Sequence, residues 1–148
     1  NWEAVIVDME EINRRLMDKG RGRMVVQRRS MFRIAEKVAD IRKLEGLVTG
    51  ESMSQKSSQT ARNMATTSIT TSVPIHRPLL GESKNRITEQ ARRLGTFEDA
   101  TIDSACSSMA PDHAATRFNP RDARRIEEDL ELEDLEEEAF SDRSIISL

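Results

Sequence analysis

The chain has 148 residues, of which 36% are hydrophobic, 33% charged and only 3% aromatic. Its length predicts one domain, but four Phe, one Trp and no Tyr leave out the rings that contribute most to a core, so one continuous core is not expected. The net charge of −3 is unevenly spread, at +3 over residues 1–50, +2 over 51–100 and −8 over 101–148, a polarity common in interaction segments.

Cys106 is the only cysteine and there is no Asn-x-Ser/Thr acceptor, which points to an intracellular, cytoplasmic setting. The longest apolar runs, such as Ala4 to Val7, fall far short of the ~20 residues that span a bilayer, and no signal-peptide pattern is visible. The chain begins at Asn1, which leaves open a piece of a longer or membrane-anchored protein.

Val5, Met9, Ile12 and Leu16 follow the 4-3-4 spacing of one helical stripe. Acids precede Arg14, Arg15 and Lys19, as the helix dipole prefers. Gly20 and Gly22 then interrupt the pattern. It restarts displaced, with Met24, Met31, Ile34, Val38 and Ile41 along a second stripe and Arg29, Arg33 and Lys37 on the far side. Gln27 and Glu45 spoil two seam positions. The spacing predicts a second helix that folds back on the first or meets a copy of itself in a short coiled coil.

Residues 50–73 are rich in Ser, Thr, Gln and Met without a steady period, and read as a flexible, phosphorylatable linker with at most a short strand at Thr66–Thr71. A short helix is expected between Ser83 as its cap and Gly95 as its stop. A second runs from Thr96 to about Met109. Asn119 followed by Pro120 opens the last helix. There Ala123, Ile126 and Leu130 face one way while Leu132, Leu135 and Ala139 face nearly the other. No single stripe buries both sets, so fraying is expected after about residue 131, where the acid run crowds the negative end of the dipole.

The fold class expected is therefore mainly α and partly disordered. The organisation reads as a basic amphipathic helical region over 1–49, a flexible Ser/Thr-rich linker over 50–82, short helices and a loop over 83–118, and an acidic helix and tail over 119–148.

Chemistry is hard to find in this pattern. Only His76 and His113 offer an imidazole to activate Cys106 or a serine, and a thiol at its ordinary pKa is mostly protonated at neutral pH. Asp103, Cys106, Asp112 and His113 lack the paired spacing of a zinc site. No P-loop or Gly-x-Gly-x-x-Gly occurs. No catalytic residue, metal or cofactor is expected, and the chain reads as a non-enzymatic adaptor or regulatory segment.

Its partner-binding residues would be Val5, Met9, Ile12, Leu16, Met24, Met31, Ile34, Val38 and Ile41, used for a protein partner or self-association. Ile126, Leu130, Leu132 and Leu135 would form an acidic, leucine-containing docking segment of the helix-in-groove or nuclear-export type. Ile146 and Leu148 would form a sheet-adding end. A second reading is a nucleic-acid or anionic-surface binder, with Arg21, Arg23, Arg28, Arg29 and Arg33 on phosphates within the basic stretch 14–37. A third is the cytoplasmic tail of a membrane protein.

Overall fold

The computed structural model describes residues 2–53, 59–101, 109–111 and 113–147. Its elements are strand β1 (Glu3–Ile6), helices α1 (Glu10–Leu16) and α2 (Arg23–Arg42), strand β2 (Leu47–Val48), helix α3 (Ala61–Ser68), strand β3 (Ile75–His76), helix α4 (Lys84–Leu94), helices α5 (Pro120–Asp129) and α6 (Leu132–Ser141), and strand β4 (Ser144–Ser147). The fold is α/β, which corrects the mainly α, partly disordered reading.

Two small sheets account for most of that correction. β1 pairs antiparallel with β4, Val5 opposite Ile145 and Ala4 opposite Ile146. The apolar run Ala4–Val7 is strand material once a partner exists, and that partner lies at the opposite end of the chain, so no local signal announces it. β2 and β3 are parallel, Leu47 opposite Ile75, with α3 between them as the crossover helix of a βαβ unit. The pairing continues in backbone bonds from Leu47 N to Pro74 O at 2.9 Å and from Thr49 N to His76 O at 3.0 Å.

α3 occupies what reads in sequence as flexible linker. Thr60 caps it by accepting from Asn63 N at 3.2 Å. Asn63, Met64, Thr66 and Thr67 are buried. Two of these side chains satisfy backbone groups of a distant segment. Asn63 Nδ2 donates to Ala115 O and Thr66 Oγ1 to Phe118 O, while Phe118 N donates to Asn63 Oδ1. Burial of polar residues costs little when each finds a partner, and composition does not reveal such partners.

α2 is the central helix and packs against α1, α3, α5 and α6. Ile12, Leu16, Val26, Ile34, Met109, Ala123, Leu132 and Phe140 form the core. The coiled-coil seam is corrected accordingly. Ile34 is buried, and Met24 and Val38 pack on the same intramolecular core, while Met31 and Ile41 stay exposed at 46% and 57%. Gln27, a spoiler in a seam, is buried here and donates to Asn13 Oδ1 at 2.8 Å.

The frayed acidic tail is corrected as well. Glu131 adopts the left-handed conformation, with φ 52°, and separates α5 from α6. The break reorients the second helix, so that Ala123 and Leu132 are buried and Ile126, Leu130, Leu135 and Ala139 pack against the same core. Two stripes that diverge on one straight helix converge on a broken one.

α4 begins after Ser83, whose hydroxyl accepts from Arg86 N at 3.3 Å, and ends at Gly95 in the left-handed region. The helix expected from Thr96 appears only as a short 3-10 turn at Asp99–Thr101, and its remainder to residue 108 lies outside the described residues. Among the described residues no helix is long and apolar enough to cross a membrane.

Gly22 fixes how tightly α2 meets the loop before α5, since a Cβ there would lie 2.2 Å from Phe118 Cζ. Gly22→Ala should destabilise the fold by about 1–3 kcal/mol through overpacking, read as a lowered urea midpoint. Adding Phe118→Leu should restore part of the loss if this contact is the cause.

Candidate functional site

In α/β units, ligands gather at the carboxyl ends of parallel strands, which here means the residues after β2 and β3. Thr49-Gly50-Glu51-Ser52 follows β2 and Arg77 follows β3. The Glu51 carboxylate is buried, with its side chain 2% exposed. It accepts from Arg28 Nη1 at 2.8 Å and Arg77 Nε at 2.7 Å, and more weakly from the Thr49 hydroxyl at 3.3 Å. Arg77 Nη2 also donates to Ser68 Oγ at 2.9 Å, and its guanidinium lies 6.0 Å from the Phe32 ring centroid. Ser52 Oγ donates to Glu82 O at 2.9 Å. One carboxylate thus binds α2, the loop after β2 and the loop after β3 together, with the end of α3 attached through Arg77.

A cavity of about 420 Å³ opens beside this node, lined by residues including Arg28, Phe32, Thr49, Gly50, Glu51 and Gln59. Arg28 Nε is buried there without a hydrogen-bond partner among the described residues. A carboxylate already holding two guanidinium groups is a poor general base, because its lone pairs are committed and its charge is matched. The arrangement is suited to fixing loop geometry and offering the unpartnered Arg28 Nε to a polar ligand.

A second cluster stands on the neighbouring face of α2. Arg29 makes two bonds to Glu127, at 2.7 and 3.0 Å, and one to Thr66 O at 2.7 Å. Arg33 makes two to Glu136, at 2.8 and 2.5 Å, and reaches Glu127 at 2.8 Å. Lys37 pairs with Glu137. Burial pushes the Glu127 carboxyl up, but the bonds from Arg29 and Arg33 outweigh it and hold it below the usual carboxylate range. Burial likewise works against the charged Arg33, and Glu136 with Glu127 raises its pKa above the ordinary value. This lattice joins α2 to α3, α5 and α6, and leaves no guanidinium of Arg29 or Arg33 free.

The phosphate candidates therefore face inward or are occupied. Arg21 Nε donates to His113 O at 2.8 Å, and Arg23 donates to Met109 O and Met17 O. Arg28, Arg29 and Arg33 hold the carboxylates just described. Of the partner-binding set, Ile12, Leu16, Ile34 and Leu132 are core residues, and Met9, Met24, Val38, Ile126, Leu130 and Leu135 pack against them. Val5 is half-buried in β1 beside Ile41, and Met31 is exposed. Ile146 sits in β4. His76 and His113 are exposed. Asp103, Cys106, Asp112 and Leu148 lie outside the described residues.

Residues 2–132 match the family model described as Thiamine biosynthesis protein (ThiI). A probable tRNA sulfurtransferase of Halobacterium salinarum is 41% identical over 124 residues, which cover 84% of this chain and 32% of that protein. The tRNA sulfurtransferase of Thermoplasma acidophilum is 38% identical over 134 residues, 89% of this chain and 27% of its own length. Among solved structures, the crystal structure of a 4-thiouridine synthetase–RNA complex with bound ATP matches with a TM-score of 0.87 and 33% identity, over 97% of this chain and 39% of that one. The chain spans about a third of the length of the curated relatives it matches.

These matches overturn the reading of a non-enzymatic adaptor, because the relatives carry the names of enzymes. Sequence reasoning passed over Thr49, Glu51, Ser52 and Arg77. The strands that place them are two residues long, too short for periodicity to register. The remaining signal is Leu47-Val48 followed at once by Thr-Gly-Glu-Ser, a change from apolar to turn residues.

Glu51→Gln should leave Arg28 and Arg77 poorly compensated and cost about 3–5 kcal/mol of stability, measured by urea unfolding. Glu127 carries its own pH signature. Its folded pKa is depressed, so its contribution is present above the unfolded value of about 4.3 and is lost as pH falls through the lower folded pKa. The stability difference between wild type and Glu127→Gln should be constant from pH 5 to 7 and shrink below about pH 4. A difference that stayed constant into acid would count against the lattice.

Proposed function

Because this chain belongs to the ThiI family, we propose that it forms part of a tRNA sulfurtransferase, in which the Arg28–Glu51–Arg77 edge shapes the reaction cleft and the chain helps hold RNA. The observation that carries this reading is the near-complete likeness of its fold to a 4-thiouridine synthetase solved with RNA and ATP. The geometry agrees with it, since the Glu51 node stands at the carboxyl edge of a βαβ unit, where α/β enzymes collect their substrates. A tRNA substrate also fits the cytoplasmic setting expected from the sequence.

Replacing a uridine carbonyl oxygen by sulfur requires that oxygen to become a leaving group, and a nucleoside triphosphate supplies that activation. The role assigned to this chain is to position. Glu51 fixes Thr49, Gly50 and Ser52 relative to Arg28 and Arg77, and that fixed edge orients whatever enters the cavity. Small errors in such positioning are costly, at about 10²-fold for 1 Å.

The test is sulfur transfer to tRNA by a full-length protein carrying this chain, with ATP and a sulfur donor supplied and thiouridine quantified in nuclease digests by mass spectrometry. The intact protein should form thiouridine, and Arg77→Met should lower the rate by about tenfold or more through lost positioning. Absence of thiouridine from the wild-type reaction would refute the assignment.

A further inference from the structure

The arginines of this chain divide into two groups. Most are occupied. Arg14 and Arg15 hold Glu11, Arg42 holds Glu3, Arg86 holds Glu82 and Arg93 holds Glu89. Arg92 and Arg143 lie over Phe97 and Phe140. Arg21, Arg23, Arg28, Arg29, Arg33 and Arg77 are committed as described above. Among the described residues, those left with neither an ion pair, a hydrogen bond nor a ring contact are Arg62, Arg117, Arg121, Arg124 and Arg125, and each is exposed.

These five share one region of the surface. Arg62 lies in the first turn of α3 and Arg117 in the segment stitched to it, where Thr60 Oγ1 donates to Thr116 O at 2.6 Å. Both line a cleft that ends at Asn119. A second cleft starts from Asn119 and is lined by Arg121, Arg124 and Arg125 with Asp122 and Glu128. Positions 121, 124 and 125 fall on one face of α5. Asp122, whose carboxylate accepts from Asn119 Nδ2 at 2.6 Å, and Glu128 are two counter-charges set against three arginines in that cleft.

We infer that Arg62, Arg117, Arg121, Arg124 and Arg125 form a docking surface for the phosphate backbone of RNA. The inference deepens the RNA part of the proposed function and rests on it. An unpaired guanidinium presents a planar fork that matches phosphate oxygens, and five of them spread along two joined clefts suit a run of successive phosphates better than one compact anion. The rim residues Thr60, Ala61 and Thr116 are small and largely polar, which gives a lipid surface no apolar anchor and RNA bases no stacking platform. Contact with the backbone is what remains.

The experiment is fluorescence anisotropy of the chain with fluorescein-labelled, unmodified transfer RNA, titrated at several salt concentrations between 50 and 200 mM. Wild type should bind with a steep salt dependence. Arg121→Glu with Arg125→Glu, and separately Arg62→Glu with Arg117→Glu, should each weaken binding by about tenfold or more and flatten the salt slope by roughly 2. Arg86→Glu with Arg93→Glu makes the same change in net charge away from the patch, and should stay within about twofold of wild type. Arginine-to-glutamine versions of the patch pairs, checked by circular dichroism, separate lost contact from lost fold. Patch variants that bind no worse than the Arg86/Arg93 pair would overturn the surface while leaving the sulfurtransferase reading intact. Failure of wild type to bind at 50 mM salt would overturn both the surface and this chain's part in holding RNA, while thiouridine formation tests the sulfurtransferase assignment by itself.

Discussion

Arg29 and Arg33 hold this fold in register. Both extend from α2 at a spacing of four residues, and between them they engage Glu127 on α5, Glu136 on α6 and the Thr66 carbonyl on α3. Taking these charges from water is expensive, and the compensation comes from paired, two-point bonds rather than single contacts. Apolar residues of the same shape would give comparable stability. They would not specify which face of α6 meets α2, and the acids do. Glu136 is 1% exposed on a helix whose other carboxylates are mostly in solvent, so its burial fixes the rotation of α6, and with it the burial of Leu132 and Phe140.

The same helix supplies the site. Arg28 precedes Arg29 by one residue, which on a helix turns it by about 100°, toward the carboxyl edge of the βαβ unit instead of toward the acidic helices. α2 therefore serves the lattice with one face and the Glu51 node with the next. This division commits the cations of α2 to partners within the chain. Unpaired arginines appear instead on α3, on α5 and on the segment joined to α3, with Asp122 and Glu128 as the acids that share their clefts.

Local signals in the sequence were legible wherever a residue acts on its own neighbours. Ser83 and Gly95 bound α4, and Asn119 with Pro120 opens α5, because capping depends on backbone groups two or three residues away. Signals that need a distant partner were not legible. Val5 and Ile145 are strand residues only in each other's presence. Thr66 and Asn63 are tolerated inside only because residues 115–118 present backbone groups to them. The kink at Glu131 belongs to the same class, since a left-handed glutamate is not favoured locally and is held by the packing of the helices on either side. The site was hidden for a related reason, as Glu51 gains its meaning from Arg28 and Arg77, which lie 23 and 26 residues away.

Segmental charge misled for a physical reason that extends to function. A count of −8 over the last third describes a docking tail only if those acids face water. Here most of those acids do face water, but Glu127 and Glu136 are turned inward and, with Glu137, paired to α2, while arginines that the count sets against them stand free. Net charge averages over a pairing pattern, and binding depends on what the pattern leaves over. The search for catalytic residues met a parallel limit. A chain that covers about a third of its relatives' length carries only its own share of any site built from several elements. Missing constellations in that share therefore say little against an enzyme, and it is the likeness to named enzymes that overturns the adaptor reading.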